Sequence, residues 1–137
     1  MATNATTAAK EKSAPKKKRD IKINSGILKV HTTDNNTVIA LVDENGNKVI
    51  WSGTGKLWYK GSKKSTPYAA ELLTKQILKE AQGFGLKDIG VVFKWTGLAR
   101  DGVFKAINEI WLIDIKYIKE ATPLQFGGCK WERPKRV

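Results

Sequence analysis

Three short runs of β-branched residues, divided by two tight turn signals, constrain this chain more than any other feature. GILKVHTT (26–33) and NTVIALVD (36–43) are parted only by Asp34 and Asn35, the mark of a hairpin. ENGN (44–47) supplies the second turn, and its Asn45-Gly46 pair suits the positive-φ geometry of a tight hairpin before KVIW (48–51). The segment 26–51 therefore reads as a three-stranded antiparallel meander, with side chains alternating between its faces.

Gly53 and Gly55 break that pattern. Ser65 or Thr66 can cap a following helix, and Pro67 fits its first turn, where its missing N–H costs nothing. Ala69, Leu72, Leu73, Gln76, Ile77, Ala81 and Phe84 then recur at spacings of three and four, which marks one inward helical face, and Gly83 and Gly85 end it. DIGVVFK (88–94) is a short, continuously apolar strand. TGLARDG (96–102) reads as a loop into a second helix, where Val103, Ile107, Ile110 and Trp111 repeat helically. IDIKYIKE (113–120) alternates as a strand, with Ile113, Ile115 and Tyr117 on one face and Asp114, Lys116, Ile118 and Glu120 on the other. The apolar Ile118 implies that both faces are partly covered. The order is βββαβαβ: an α/β fold with a mixed β-sheet and covering helices.

The formal net charge of +12 is unevenly placed. Residues 1–22 carry a net +5, residues 56–64 a net +4 and residues 130–137 a net +3, leaving the rest of the chain neutral. A neutral body with cationic ends and one cationic loop suits a polyanionic partner. One folded domain over 23–122 is expected between a disordered basic tail (1–22) and a basic C-terminal tail (123–137). Residues 1–20 lack large apolar side chains after Met1, so burial cannot offset the entropy of ordering them. No apolar stretch approaches the roughly 18 residues of a membrane span, and no secretory signal is expected at the N-terminus. The single cysteine, Cys129, excludes an internal disulfide framework and fits a reducing compartment.

Catalytic motifs fail on register. A phosphate-binding P-loop ending at Gly55-Lys56 needs glycine where Ile50 stands and a hydroxyl where Leu57 stands. Gly53-x-Gly55 lacks the third glycine of a dinucleotide fingerprint because Trp58 holds its place. His31 and Cys129 are too few for a zinc site. Asp43 and Asp114 are carboxylates on strands, as in magnesium nucleases, yet they sit at ordinary structural positions. Neither an enzyme nor a cofactor or metal is expected.

HTTDNNTVIALVDENGNKVIWSGTGKLWYKGSKKSTPYAA (31–70) closely resembles the family of small-subunit ribosomal protein eleven, of bacterial type. FGLK (84–87), the stretch from Arg100 to Ile107 and the ending from Gly128 to Val137 follow in the family's order. The resemblance implies an RNase H-like fold, a non-enzymatic ribosomal role and binding to small-subunit (16S-type) rRNA in the platform, near the mRNA exit and E site. It also implies ribosomal proteins seven, eighteen and twenty-one as neighbours, no membrane, no homo-oligomer, and a cytoplasmic or organellar ribosome. Two stretches depart from the family's pattern: the glycine-proline loop is represented only by Thr96–Arg100, and the tail reads PLQFGGCKWE (123–132).

On this reading the RNA contacts are Asn35, Asn36, Lys56, Lys60, Gly61, Ser62, Lys63, Lys64, Ser65, Thr66 and Arg100. The C-terminal tail adds Gly128, Lys130, Arg133, Lys135 and Arg136, and the N-terminal tail Lys16, Lys17, Lys18 and Arg19. Gly61 lets two backbones approach, Ser62, Ser65 and Thr66 donate to phosphate oxygens, and the first amides of the helix complete an anion site. Trp58, Tyr59 and Trp131 lie among the cations, where they can stack on bases or pack against protein. PKKKR (15–19) has the composition of a nuclear import signal, which keeps a nuclear or nucleoid nucleic-acid-binding module as the alternative.

Overall fold

In the computed structural model, which describes residues 21–137, the meander is β1 (Ser25–Thr32), β2 (Thr37–Asp43) and β3 (Lys48–Gly53). A long connection with two short 3-10 turns, Thr54–Leu57 and Gly61–Ser65, leads to α1 (Pro67–Gly83), then β4 (Asp88–Lys94), α2 (Ala99–Glu109) and β5 (Asp114–Glu120). The sheet order is β3-β2-β1-β4-β5. β1 pairs antiparallel with β2 and parallel with β4, and β4 pairs parallel with β5. This is the mixed α/β sheet that the sequence implies, in RNase H-like order.

Alternation along the strands divides the sheet into two unlike faces. Leu28 and Val30 of β1, Ile39 and Leu41 of β2, and Ile89, Val91 and Phe93 of β4 form one face of the core. Against it lie Leu73, Ile77 and Ala81 of α1 with Ala99, Val103 and Ile107 of α2. Each fully buried large apolar side chain contributes roughly 1.5–3 kcal/mol relative to exposure. Residues of the opposite parity point away from both helices, so the described residues form two layers and leave one sheet face bare.

α1 presents a wider buried surface than its periodicity suggests. Ala70, Thr74 and Leu78 form a second buried row beside Ala69, Leu73 and Ile77, because α1 packs on α2 as well as on the sheet. Thr74 settles its buried hydroxyl by donating to the Ala70 carbonyl at 2.7 Å.

Four expectations need correction. α2 begins at Ala99, inside the stretch read as a loop. Gly102 is helical and buried, serving close approach: a Cβ there would lie 1.9 Å from the Pro67 carbonyl oxygen. Ile110 and Trp111 fall beyond the helix, and Trp111 is exposed. β5 does not alternate simply, because its register with β4 shifts between Ile89 and Gly90, leaving Lys116 as the extra residue of a bulge. Ile115 and Ile118 pair with Ile89 and Val91 and so share the helix-facing side, while Tyr117 pairs with Gly90 on the other. Nor are both faces of β5 covered: it is an edge strand exposed along its whole length.

Candidate nucleic-acid interface

β3 runs antiparallel to β2 and hence parallel to β1, β4 and β5. The carboxyl ends of four strands therefore meet at one edge, where Gly53, Val38, His31 and Lys94 form a continuous row of partners. The β1–β2 turn, the basic connection after β3, the turn after β4 and the tail after β5 all leave from this edge. Segments scattered over a hundred residues of sequence thus become neighbours. The chain enters at the opposite edge, where Ile23 donates to the Phe84 carbonyl at 3.0 Å. Lys16, Lys17, Lys18, Arg19 and the PKKKR stretch lie outside the described residues.

The β1–β2 turn is tied to the basic connection. Thr33 and Asn36 close the turn, with Asn36 N–H donating to Thr33 Oγ1 at 3.0 Å. Asn36 Oδ1 accepts from its neighbour Thr37 N–H at 2.8 Å and from the Thr54 hydroxyl at 3.0 Å. Asn36 is therefore a brace, and Asn35 beside it is exposed. Sequence reading passed over Thr54, which is fully buried between two glycines and lies outside any periodic pattern.

The connection itself is held at both ends. Trp58 has a φ of 66°, unusual for a bulky residue, closes the first 3-10 turn through its N–H to the Gly55 carbonyl at 3.2 Å, and exposes its indole. Gly61, with a φ of 62°, starts the second 3-10 turn. Ser65 donates to the Ser62 carbonyl at 3.1 Å and Thr66 to the Lys63 carbonyl at 2.8 Å. Thr66 also caps α1, its Oγ1 accepting from Ala69 N–H at 3.4 Å. So the hydroxyl protons of Ser65 and Thr66 are donated within the loop, and the groups free to face outward are Ser62 and the lysines. Lys56, Lys60 and Lys63 are exposed and Lys64 half-buried. None of the four forms an ion pair with an acid of the described residues.

The tail from Ala121 to Val137 carries no helix or strand. Gly127 and Gly128 turn it with φ values of 81° and 48°, and Lys130, Arg133, Lys135 and Arg136 are exposed beyond them. Trp131 shares a cleft of about 460 Å³ with Trp95, Thr122, Pro123 and Leu124, which brings the tail back beside the turn after β4.

Arg100 stands apart from the other cations. Its guanidinium pairs with Glu120 and lies 5.0 Å from the centroid of the Phe93 ring, joining α2 to the end of β5. The Thr122 hydroxyl and then Arg100 hold the Glu120 carboxyl below its ordinary range. A second ionic knot lies on the far side of the helices: buried Glu71 accepts from Lys75 at 2.6 Å and from Lys105 at 3.1 Å, and Lys75 also meets Glu109 at 2.5 Å. Lys75 and Lys105 lower the Glu71 pKa, while Glu109 and Glu71 raise that of Lys75. Among the described residues no three His, Cys, Asp or Glu side chains are grouped to hold a metal.

Fold and site together define a class: a two-layer α/β body whose strand ends gather loop and tail cations into one surface suited to a polyanion. Residues 26–136 match the family model of ribosomal protein S11. The chain is 36% identical over 129 residues to the small ribosomal subunit protein uS11 of Nautilia profundicola, covering 94% of this chain and 99% of that one. It is 38% identical to the uS11 of Nitratiruptor sp., with the same coverage. To that of Sulfurovum sp. it is 40% identical over 122 residues, 89% and 98% of the two chains. The chain belongs to the ribosomal protein S11 family, in its bacterial type, a family of structural and non-enzymatic proteins for which RNA binding is general.

Proposed function

We propose that this protein is a structural constituent of the small ribosomal subunit that binds 16S-type rRNA through the carboxyl edge of its sheet. Lys56, Lys60, Lys63 and Lys64 supply charge to the phosphates, Gly61 and Ser62 allow close backbone approach, and Lys130, Arg133, Lys135 and Arg136 extend the contact along the tail. Asn36, Ser65 and Thr66 act from behind by bracing the loop. Lys16, Lys17, Lys18 and Arg19 add contacts from the N-terminal side. The observation that carries this reading is the convergence of the cationic loop and tail on one edge of an otherwise neutral fold, in a chain of this family. Following the resemblance, the site lies in the platform near the mRNA exit and E site, beside ribosomal proteins seven, eighteen and twenty-one, in a cytoplasmic ribosome.

The test is binding of the full chain to small-subunit rRNA across a salt series. With about eight phosphates engaged, affinity should fall by about 10³–10⁵ between 50 and 200 mM salt. Lys63→Glu with Lys64→Glu should weaken binding while leaving the cooperative melt unchanged, since both side chains serve the loop and not the core. A flat salt response, or parental affinity in the double variant, would count against the proposal.

A further inference from the structure

The sheet face turned away from the helices has an unusual composition. One row of ladder partners across it reads Trp51, Ala40, Lys29, Val92 and Lys119, and the next, nearer the carboxyl edge, reads Gly53, Val38, His31 and Lys94. Lys29, His31, Lys94 and Lys119 are exposed, and Trp51 is 56% exposed. No acid of the described residues forms an ion pair with these lysines. The acids of this face, Asp88 and Asp114, with Glu44 just past the end of β2, collect at the opposite edge, where Lys116 meets Asp88 at 2.8 Å. The face is therefore polarised, positive toward the loop and tail.

Antiparallel sheets commonly leave one face to water, but parallel strands are normally covered on both faces. Here β1, β4 and β5 are parallel, and on one side no helix or strand of the described residues covers them, where lysines predominate. Neighbouring strands lie about 4.8 Å apart, which puts Trp51 and Lys119 each about 10 Å from Lys29 along the row, with His31 about 7 Å further up its strand. Small Ala40, Val38 and Gly53 between them leave a shallow floor. Lys48 stands 5.1 Å from the Trp51 ring centroid, so a cation already sits on that indole.

We propose that this bare face is a second RNA-binding surface, continuous with the carboxyl edge, on which Lys29, Lys94 and Lys119 meet sugar-phosphate backbone and Trp51 stacks on an unpaired base. The proposal rests on the RNA-binding reading above. An RNA occupant is favoured over a protein one by the lack of acids around the lysines and by continuity with the cationic edge. Stacking needs only a flat exposed ring, and Trp51 offers one on the same sheet face as Lys29, Lys94 and Lys119.

The test compares Lys29→Gln with Lys119→Gln against Lys63→Glu with Lys64→Glu, both in the full chain, for binding to small-subunit rRNA at 50 and 200 mM salt. Removing two phosphate contacts should reduce the loss of affinity over that range by about 7- to 12-fold relative to the parent. Trp51→Leu should weaken binding without changing the salt slope. If the sheet variant behaves as the parent while the loop variant is weakened, the second surface is refuted and the first stands. If neither differs from the parent, both fail. If the sheet variant keeps parental rRNA affinity yet no longer enters reconstituted subunits, the face contacts protein and the proposal is overturned. Should the double variant lose its cooperative melt, ultraviolet crosslinking of the parent decides: crosslinked nucleotides on the β1 and β3 peptides support the surface, and their absence there refutes it.

Discussion

Gly102→Ala should loosen the fold and the loop together, although an alanine normally improves a helix. A Cβ at this position would stand 1.9 Å from the Pro67 carbonyl oxygen and 2.7 Å from its carbonyl carbon. Even close carbon–oxygen contacts are about 3.3 Å, so α1 and α2 would have to part by about 1.4 Å at their crossing. Overpacking of this kind costs up to about 3 kcal/mol, and the gain in helix propensity returns about 1, for a net loss of about 2 kcal/mol. For a domain of about 100 residues the melting temperature should drop by about 10 °C. Pro67 is the first residue after Thr66, so the displacement reaches the basic loop, and rRNA affinity should fall as well. Gly83→Ala is the control: it ends α1 with nothing within 4 Å of a new Cβ and should leave the melt unchanged or raise it. Thermal denaturation of both variants decides the matter. A Gly102→Ala protein that melts at or above the parent would refute the assigned role of this glycine.

Two further outcomes follow from the side-chain geometry. Thr66→Ala should cost about 1 kcal/mol in a denaturant titration, because it uncaps α1 and removes the hydroxyl donor of the Lys63 carbonyl. The Glu71 carboxyl is held below its ordinary value of 4.5 by Lys75 and Lys105, so its contribution is complete above that value and is lost as pH falls through the lower folded one. Glu120 carries the same sign. The melting temperature should therefore decline below about pH 4.5, and Glu71→Gln should flatten that decline in a pH series.

The meander was legible because turn chemistry and period-two alternation act locally: Asn45-Gly46 and the Asp34-Asn35 break work through a few neighbouring dihedrals. The α1 cap at Thr66-Pro67 was legible for the same reason, as was the segregation of charge, which needs only counting. Gly102 misled because glycine signals a loop locally and close approach tertiarily, and only the α1–α2 crossing tells the two apart. The β5 bulge at Lys116 was hidden because its signature, the apolar Ile118 out of phase, also fits a strand buried on both faces.

What the sequence by itself determined is the list of elements, the neutral body and the three cationic segments, all of which depend on residues near one another in the chain. What the tertiary structure decided is that the Asn36 turn, the lysine loop and the tail share one edge, while Arg100 is bound to Glu120 and Phe93. The bare sheet face belongs to the same category, since β1, β4 and β5 become neighbours only through crossovers. The physical reason is that side-chain function depends on direction and company, and both are set by strand register and helix packing between segments far apart in sequence.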